Sequence, residues 1–99
     1  MTQIGSGGVK ITLWRKSKGF HRDYDKLTLE LRDLVDQKLQ DLVKVPMPPG
    51  LRFEKLKAYT SPDIYTFHVT GNYKVSLEIN GGTAFLRRVA DHDEIDRTP

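Results

Sequence analysis

Cysteine is absent from this chain of 99 residues. The chain therefore has no disulfide framework, no thiol nucleophile and no cysteine-based zinc site. It also lacks any apolar run near the roughly 20 residues of a transmembrane helix, and its N-terminus lacks the apolar stretch of a signal peptide. These absences argue against secretion and membrane insertion, so we expect a protein of the cytoplasm.

Sequence signatures of metal and cofactor sites are missing as well. The three histidines, at positions 21, 68 and 92, and the scattered acids match no metal-ligand spacing. The chain has no glycine-rich phosphate loop followed by Lys and Ser or Thr, no nucleophile elbow and no dinucleotide-binding fingerprint. We therefore expect neither a metal ion nor a cofactor.

Positive charge is present in modest excess and is unevenly distributed. The formal net charge is +3. Residues 10–22 contain no acid but five basic side chains, Lys10, Arg15, Lys16, Lys18 and Arg22. Residues 52–57 contain a second basic group, Arg52, Lys55 and Lys57, against Glu54. Such clusters indicate a polyanionic partner, either nucleic acid or an acidic protein segment, although a solvated surface that keeps the protein soluble is the alternative.

The first half of the chain predicts a strand followed by two helices. Residues 1–8 are glycine-rich and predict a flexible leader, which leaves 9–97 as a single domain. Val9, Ile11 and Leu13 alternate with polar residues, which is typical of a half-buried strand. Residues 17–26 predict a short helix, and apolar residues at helical spacing over 27–43 predict a second one of about four turns, with Thr28 as its N-cap.

After the proline-rich stop at 46–50 the apolar period changes to two, which indicates strands. The first strand of this group is predicted to begin at Leu51 and Phe53, and further strands span about 64–69, 73–79 and 83–90. The class is therefore α+β: an N-terminal strand, a two-helix hairpin, then a three- to four-stranded antiparallel sheet with the helices on one face.

Pairing the apolar residues across the hairpins predicts which side chains share a face. A three-residue loop at 70–72 pairs Phe67 with Val75 and places His68 opposite Lys74. A similar loop at 80–82 pairs Leu77 with Phe85 and Tyr73 with Val89. Arg88 then lies beside Lys74, while Arg87 points inward or lies at the sheet end. A two-residue Gly81-Gly82 loop would exchange the two arginines.

The predicted register brings His68, Lys74 and Arg88 onto one face, where their donors can bind a phosphate. Exposed sheet faces also carry such charges simply to oppose aggregation. In the charged segment 91–97, His92 is a candidate general acid or base, or else part of a solvated tail. Arg52 and Glu54 share a strand face in this prediction and are expected to form a surface ion pair.

Three segments together resemble the RelE/ParE superfamily of toxins from toxin–antitoxin systems. They are 48–57 (PPGLRFEKLK), 65–78 (YTFHVTGNYKVSLE) and 86–97 (LRRVADHDEIDR). The resemblance spans about 9–97 and implies a strand, a helical pair and an antiparallel sheet. It implies a type II toxin with an acidic antitoxin partner. The RelE branch cleaves mRNA on the ribosome and inhibits translation, whereas the ParE branch inhibits DNA gyrase.

The resemblance also implies roles for individual residues. A metal-independent mRNA interferase would use Glu54, Lys74, Arg88 and His92 in catalysis, and would bind RNA through Arg52, Lys55, Lys57, His68 and Arg87. Three positions depart from the family pattern. His68 and Lys74 stand where arginine is usual, and a lysine keeps the charge but lacks the bidentate fork. Asp96 stands where many RNase members have a tyrosine, and a carboxylate neither stacks on a base nor attracts phosphate. A non-enzymatic gyrase inhibitor and a degenerate toxin that only binds its antitoxin are therefore the alternatives.

Overall fold

One five-stranded sheet and three helices form the part of the chain that the structure, a computed structural model, describes: residues 10–99. The elements in chain order are β1 (Leu13–Lys16), α1 (Lys18–Asp25), α2 (Leu29–Leu42), a single 3-10 turn (Pro49–Leu51), β2 (Glu54–Thr60), β3 (Asp63–His68), β4 (Tyr73–Asn80), β5 (Thr83–Asp91) and α3 (His92–Arg97). The predicted leader and Val9 lie outside the described residues. None of the helices within 10–99 is long and apolar enough to cross a membrane.

The sheet has the strand order β1-β5-β4-β3-β2. Strands β2 to β5 form an antiparallel meander, and β1 joins β5 in parallel. This arrangement confirms the predicted α+β class, with β1 adding a fifth strand to the antiparallel four.

The main core lies between the sheet and the helices α1 and α2. Alternate residues of β3, β4 and β5, including Phe67, Val75 and Leu77, are fully buried there. Phe20 of α1 and Leu39 of α2 belong to the same buried cluster. This cluster fixes which face of the sheet is apolar, and the opposite face is left for polar side chains.

Side-chain caps determine where both of these helices begin. Thr28 Oγ1 accepts a hydrogen bond from the backbone N–H of Leu31 at 3.2 Å, which confirms the predicted N-cap of α2. Ser17 caps α1 in the same way, accepting from the backbone N–H of Phe20 at 3.0 Å. The short helix predicted over 17–26 is therefore confirmed as α1.

The β3–β4 hairpin has the predicted register, and the β4–β5 hairpin does not. Phe67 faces Val75, and His68 faces Lys74. The second turn has two residues, Gly81 and Gly82, both with positive φ (58° and 86°), so Asn80 pairs directly with Thr83. The predicted pairs of Leu77 with Phe85 and Tyr73 with Val89 are therefore wrong, because the turn is one residue shorter than predicted.

A bulge in β5 then changes the register once more. Leu77 faces Leu86, whereas Ser76 faces Arg88, so Arg87 has no residue directly opposite. Such an extra residue shifts the alternation by one position. Arg88 consequently lies on the same face as Lys74, as predicted, but for a different reason. The two-residue turn alone would have exchanged the arginines.

The segment before β2 differs from the prediction. Leu51 ends the 3-10 turn instead of beginning a strand, and Arg52 adopts the left-handed conformation with φ 53°. The strand starts at Glu54 because Arg52 turns the chain out of the extended conformation. Consequently Arg52 and Glu54 do not share a strand face, and no ion pair joins them in the described structure.

The first strand is also displaced from its predicted position. Ile11 is buried as expected, but it precedes β1, and Leu13 is exposed. The half-buried residues of this edge strand are Trp14 and Lys16, and the Trp14 indole N–H donates to the Leu39 carbonyl at 3.2 Å. The simple alternation through Leu13 is therefore wrong.

Candidate functional site

The sheet face that points away from α1 and α2, here called the outer face, carries polar side chains from three strands. Directly opposite residues point the same way, so His68 with Lys74, and Thr66 with Ser76 and Arg88, share this face. Thr66, Lys74 and Ser76 are buried. Polar groups on an exposed face would be open to water, so another element must cover these three.

That covering element is α3, which the sequence did not predict. Asp91 caps the helix by accepting from the backbone N–H of Glu94 at 2.9 Å, and Ile95 is completely buried. The backbone N–H of His92 donates to the Asn72 carbonyl at 2.7 Å, which ties the helix start to the β3–β4 turn. The spacing Asp91-x-x-Glu94 before an apolar residue is a helix-start signature that would have revealed α3.

Lys74 and Asp96 form an ion pair between the outer face and α3. Lys74 Nζ lies 2.9 Å from Asp96 Oδ1. The Lys74 side chain is 9% exposed, whereas that of Asp96 is 51% exposed. The ammonium is thus withdrawn from water, and its carboxylate partner lies at the rim.

Two hydroxyl groups next to Lys74 on the outer face are buried without a partner. Thr66 Oγ1 and Ser76 Oγ face each other across β3 and β4, and neither has a hydrogen bond within the described residues. A buried hydroxyl without an acceptor costs roughly 1–3 kcal/mol. This part of the outer face is therefore polar, but the hydrogen-bonding capacity of its two hydroxyl groups is not satisfied within the described residues.

Arg88 joins β5, α1 and α3. Its Nε and Nη2 donate to the two carboxylate oxygens of Asp23 at 2.9 and 3.2 Å, and its Nη1 donates to Glu94 at 3.1 Å and to the Thr98 carbonyl at 3.2 Å. Asp23 also accepts from the backbone N–H of Val89 at 3.2 Å. The hydrogen bond to Asp23 is the main cause that raises the pKa of Arg88. Every donating nitrogen of Arg88 thus already has a protein acceptor.

Arg87, the bulge residue, lies on the outer face, whereas the predicted register placed it inward or at the sheet end. Its Nη1 pairs with Glu78, and its Nε donates to the Pro99 carbonyl at 3.4 Å. Glu78 is on the same face as Lys74 because both belong to the even-numbered positions of β4. The bulge therefore places both arginines on the face that α3 covers.

The two histidines of the site each have one ring nitrogen engaged. His68 Nδ1 lies 3.3 Å from the Thr70 carbonyl oxygen. Because a carbonyl oxygen only accepts, Nδ1 is the donor in this contact, which leaves Nε2 unengaged by it. His92 Nδ1 lies 3.2 Å from Asp93 Oδ1. His92 lies one helical turn before Asp96, beside the turn that ends β3.

Strand β2 divides its predicted site residues between the two faces. Glu54 faces Thr66 and therefore belongs to the outer face. Lys55 faces Tyr65 on the helix side of the sheet, where its Nζ lies 3.5 Å from Asp63. The structure thus brings Glu54, but not Lys55, onto the face of Lys74.

The remaining β2 side chains lie at the open edge of the sheet. Lys57 is exposed and, with Phe53, Glu54, Lys55 and Thr60, lines a shallow groove of about 430 Å³. Arg52 is exposed before the strand begins. These cations are therefore separated from Lys74 by β3. A second groove, of about 510 Å³, lies between the β2–β3 turn and the end of α3, with Tyr59, Ile64, Arg87 and Arg97 in its lining.

The basic run at 10–22 lies around β1 and α1. Lys16 Nζ lies 5.4 Å from the centre of the Trp14 ring and 5.3 Å from that of Tyr24, which is cation–π geometry. The other basic side chains of this run are exposed: Lys10, Arg15, Lys18 and Arg22. They form a positive surface around β1 and α1, and Arg22 lines a groove together with Arg88. Within 10–99, no group of His, Asp or Glu is arranged to hold a metal ion.

Comparison with known proteins identifies the fold. No family model and no curated protein sequence matches this chain. Solved structures do match. The RelB–RelE antitoxin–toxin complex from Methanococcus jannaschii contains a chain that is 24% identical, with a TM-score of 0.63, over 85% of this chain and 98% of that one.

Two further structures give the same result. The toxin–antitoxin complex RelBE2 from Mycobacterium tuberculosis contains a chain that is 22% identical, with a TM-score of 0.64, over 85% of this chain and 100% of that one. YafQ from E. coli is 11% identical, with a TM-score of 0.63, over 83% of this chain and 94% of the YafQ chain. The TM-scores of 0.63 and 0.64 establish a shared fold, and they confirm the fold that the sequence resemblance implied. The chain therefore has the fold of RelE-type toxins.

Proposed function

We propose that this chain is the toxin of a type II toxin–antitoxin system and that it inhibits translation by cleaving mRNA on the ribosome. The observation that carries the proposal is the row of groups on the outer face. His68 and Lys74 are direct cross-strand neighbours, and Glu54 begins the next strand on the same face. A cation beside candidate proton-transfer groups is what cleavage at a phosphate requires.

The reaction needs no metal or cofactor. A base removes the proton from a ribose 2′-hydroxyl, whose oxygen attacks the adjacent phosphorus, and the bond from phosphorus to the 5′-oxygen breaks. An acid protonates that leaving oxygen, which gives one RNA fragment a 5′-hydroxyl end, and the other fragment ends in a 2′,3′-cyclic phosphate. Lys74 stabilises the charge on the phosphate oxygens. His68 Nε2 and Glu54 are the candidates for the base, and His92 is the candidate for the acid.

The arginines have a different role in this proposal from the one that the sequence resemblance implied. Arg88 is held by Asp23 and Glu94, so it is a positioning residue that fixes α3, and with it His92, against the sheet. Arg87 contacts the end of the chain next to α3 and borders the larger groove. Phosphate binding then rests mainly on Lys74.

Other surfaces of the chain are suited to bind its partners. The exposed cations of 10–22 and the β2 edge, with Arg52, Lys55 and Lys57, are suited to ribosomal RNA. The antitoxin is an acidic protein, and strand addition at the edge of β2, which has only β3 as a neighbour within 10–99, is one way in which it would bind. The matching chains come from complexes named as antitoxin–toxin pairs, which supports such a partner.

The test is to induce the chain without an antitoxin in growing bacteria and to sequence RNA 5′ ends. Cells with Lys74→Ala and His68→Ala serve as the site variants. Lys44→Ala is the matched control, because Lys44 is exposed, follows α2 and makes an ion pair with Asp41. New 5′ ends within translated frames that disappear in the site variants and persist in the control support the proposal. New ends that persist in both site variants refute the site.

A second candidate is a protein that binds but does not cleave. It is favoured by one observation: Lys74, Arg87 and Arg88 are all paired with carboxylates, so the outer face offers little net positive charge. Growth arrest without new RNA ends, but with DNA-damage signalling, would indicate gyrase inhibition. An absence of arrest, with antitoxin binding retained, would indicate a degenerate toxin.

A further inference from the structure

The two side chains of the Lys74–Asp96 ion pair differ in their exposure to water. Lys74 is nearly withdrawn from water, and its neighbours across the two adjacent strands, His68 and Ala90, supply no carboxylate. A buried ammonium without a counter-ion is strongly unfavourable. Asp96 is the carboxylate that meets this need, and it approaches from the solvent side of the pair.

We propose that Lys74 is an anion-binding site whose occupant in this structure is the Asp96 carboxylate, and that a phosphate of single-stranded RNA binds by replacing it. The identity of the ligand rests on the proposed function, whereas the competition at Lys74 does not. Asp96 is then a residue that sets the affinity of the site. A carboxylate and a phosphate oxygen accept the same charge-assisted hydrogen bond from an ammonium.

The exchange does not require α3 to leave the sheet. Ile95 anchors the helix by burial, the His92 N–H binds the Asn72 carbonyl, and Glu94 binds Arg88. These contacts are independent of Asp96. Because the Asp96 side chain is half exposed, a rotation about its own bonds moves the carboxylate into water and leaves Lys74 accessible from the rim.

The test measures binding separately from cleavage. A short single-stranded RNA with 2′-O-methyl groups has no attacking hydroxyl, so it reports affinity alone. Its dissociation constant is measured for the unaltered chain, Asp96→Asn, Asp96→Glu and Asp93→Asn. Asp93 is the matched control because it lies on the same helix, carries the same charge and is largely exposed. Work at 0.15 M salt, where the Debye length is about 8 Å, reduces the effect of net charge.

We expect Asp96→Asn to bind the RNA about tenfold more tightly, the order of effect of a charge-assisted hydrogen bond that no longer has to be broken. Asp96→Glu should bind like the unaltered chain, and Asp93→Asn should differ by less than about twofold, as for an exposed charge. Adding Lys74→Met to Asp96→Asn should abolish the gain. A gain in Asp93→Asn equal to that in Asp96→Asn, or one that survives Lys74→Met, overturns the proposal.

One measurement avoids substitutions, in case a variant loses α3. In the unaltered chain, RNA titration should shift the NMR signals of the Lys74 side chain and of the Asp96 carboxyl carbon together. Movement of neither signal on saturation with RNA overturns the proposal. If Asp96→Asn binds more tightly while induced cells show no new RNA ends, the competition stands and the proposed cleavage fails.

Discussion

Replacing Arg88 with methionine should destabilise the fold more than the same replacement of its neighbour Arg87. Arg88 makes two hydrogen bonds to Asp23, and the Asp23 side chain is only 11% exposed. Removal leaves that carboxylate with the Val89 N–H as its remaining donor. Methionine preserves much of the apolar stem, so the change reports the lost charge contacts.

The magnitude lies between two limits. Exposed ion pairs contribute about 0–1 kcal/mol, and breaking a fully buried pair costs about 3–5 kcal/mol. Arg88 is 29% exposed, so the site is intermediate and we expect a loss of about 2 kcal/mol. For a domain of this size that corresponds to a fall in melting temperature of about 8–16 °C.

Urea unfolding followed by circular dichroism measures this change, and Arg87→Met is the matched control. Arg87 is the adjacent residue, and its partner Glu78 is partly exposed, so its loss should cost less than about 1 kcal/mol. Equal destabilisation by the two substitutions would refute the assignment of Arg88 as the link between α1, β5 and α3. It would also return Arg88 to the list of candidates for phosphate binding.

Three further predictions concern single positions. Thr66→Val should leave the free energy of unfolding in urea unchanged or raise it by about 1 kcal/mol, because the buried hydroxyl has no hydrogen-bond partner within the described residues. A clear loss of stability would mean that the hydroxyl does have a hydrogen-bond partner. Gly82→Ala should cost about 1–2 kcal/mol because φ is +86°, whereas Gly71→Ala, with open space around it, should be nearly neutral; equal effects would contradict the turn geometry. The pKa of Glu94 is lowered in the folded state, chiefly by the hydrogen bond from Arg88. The ionised Glu94 side chain therefore stabilises the fold at pH values above the pKa that it has in the unfolded chain. This stabilisation is lost as the pH falls through the lower pKa of the folded state. The unfolding midpoints of Glu94→Gln and the unaltered chain should therefore differ at pH 7 and converge in acid; a constant difference would contradict this.

Local signals in the sequence were sufficient for much of the fold. Thr28 begins α2 because its hydroxyl satisfies a backbone N–H three residues later, which is a short-range interaction. The β3–β4 register followed from apolar alternation, since a slip by one residue would expose Phe67 and Val75. Both features are decided within a few residues, and so a single sequence contains them.

The β5 register and the partners of Arg88 could not be predicted in this way. Both glycines of the Gly81-Gly82 turn accept positive φ, so two loop lengths were equally compatible with the sequence. The bulge at Arg87 then shifts the β5 register a second time. Asp23, which holds Arg88, is 65 residues away in the chain and belongs to another element. Such contacts appear only when the whole fold is assembled.

The carboxylates, more than the cations, decide whether the outer face binds nucleic acid. The number of Lys and Arg residues in the sequence predicts a positive surface, but each of the three cations on the outer face has a carboxylate partner. Lys74 pairs with Asp96, Arg87 with Glu78, and Arg88 with Asp23 and Glu94. Of these carboxylates, Asp23 is nearly buried and accepts several hydrogen bonds, so it holds its partner in place. Asp96 makes one contact and is half exposed. The electrostatic potential that a polyanion meets at the outer face therefore depends most on Asp96, one of the positions at which the sequence departs from the pattern it resembles.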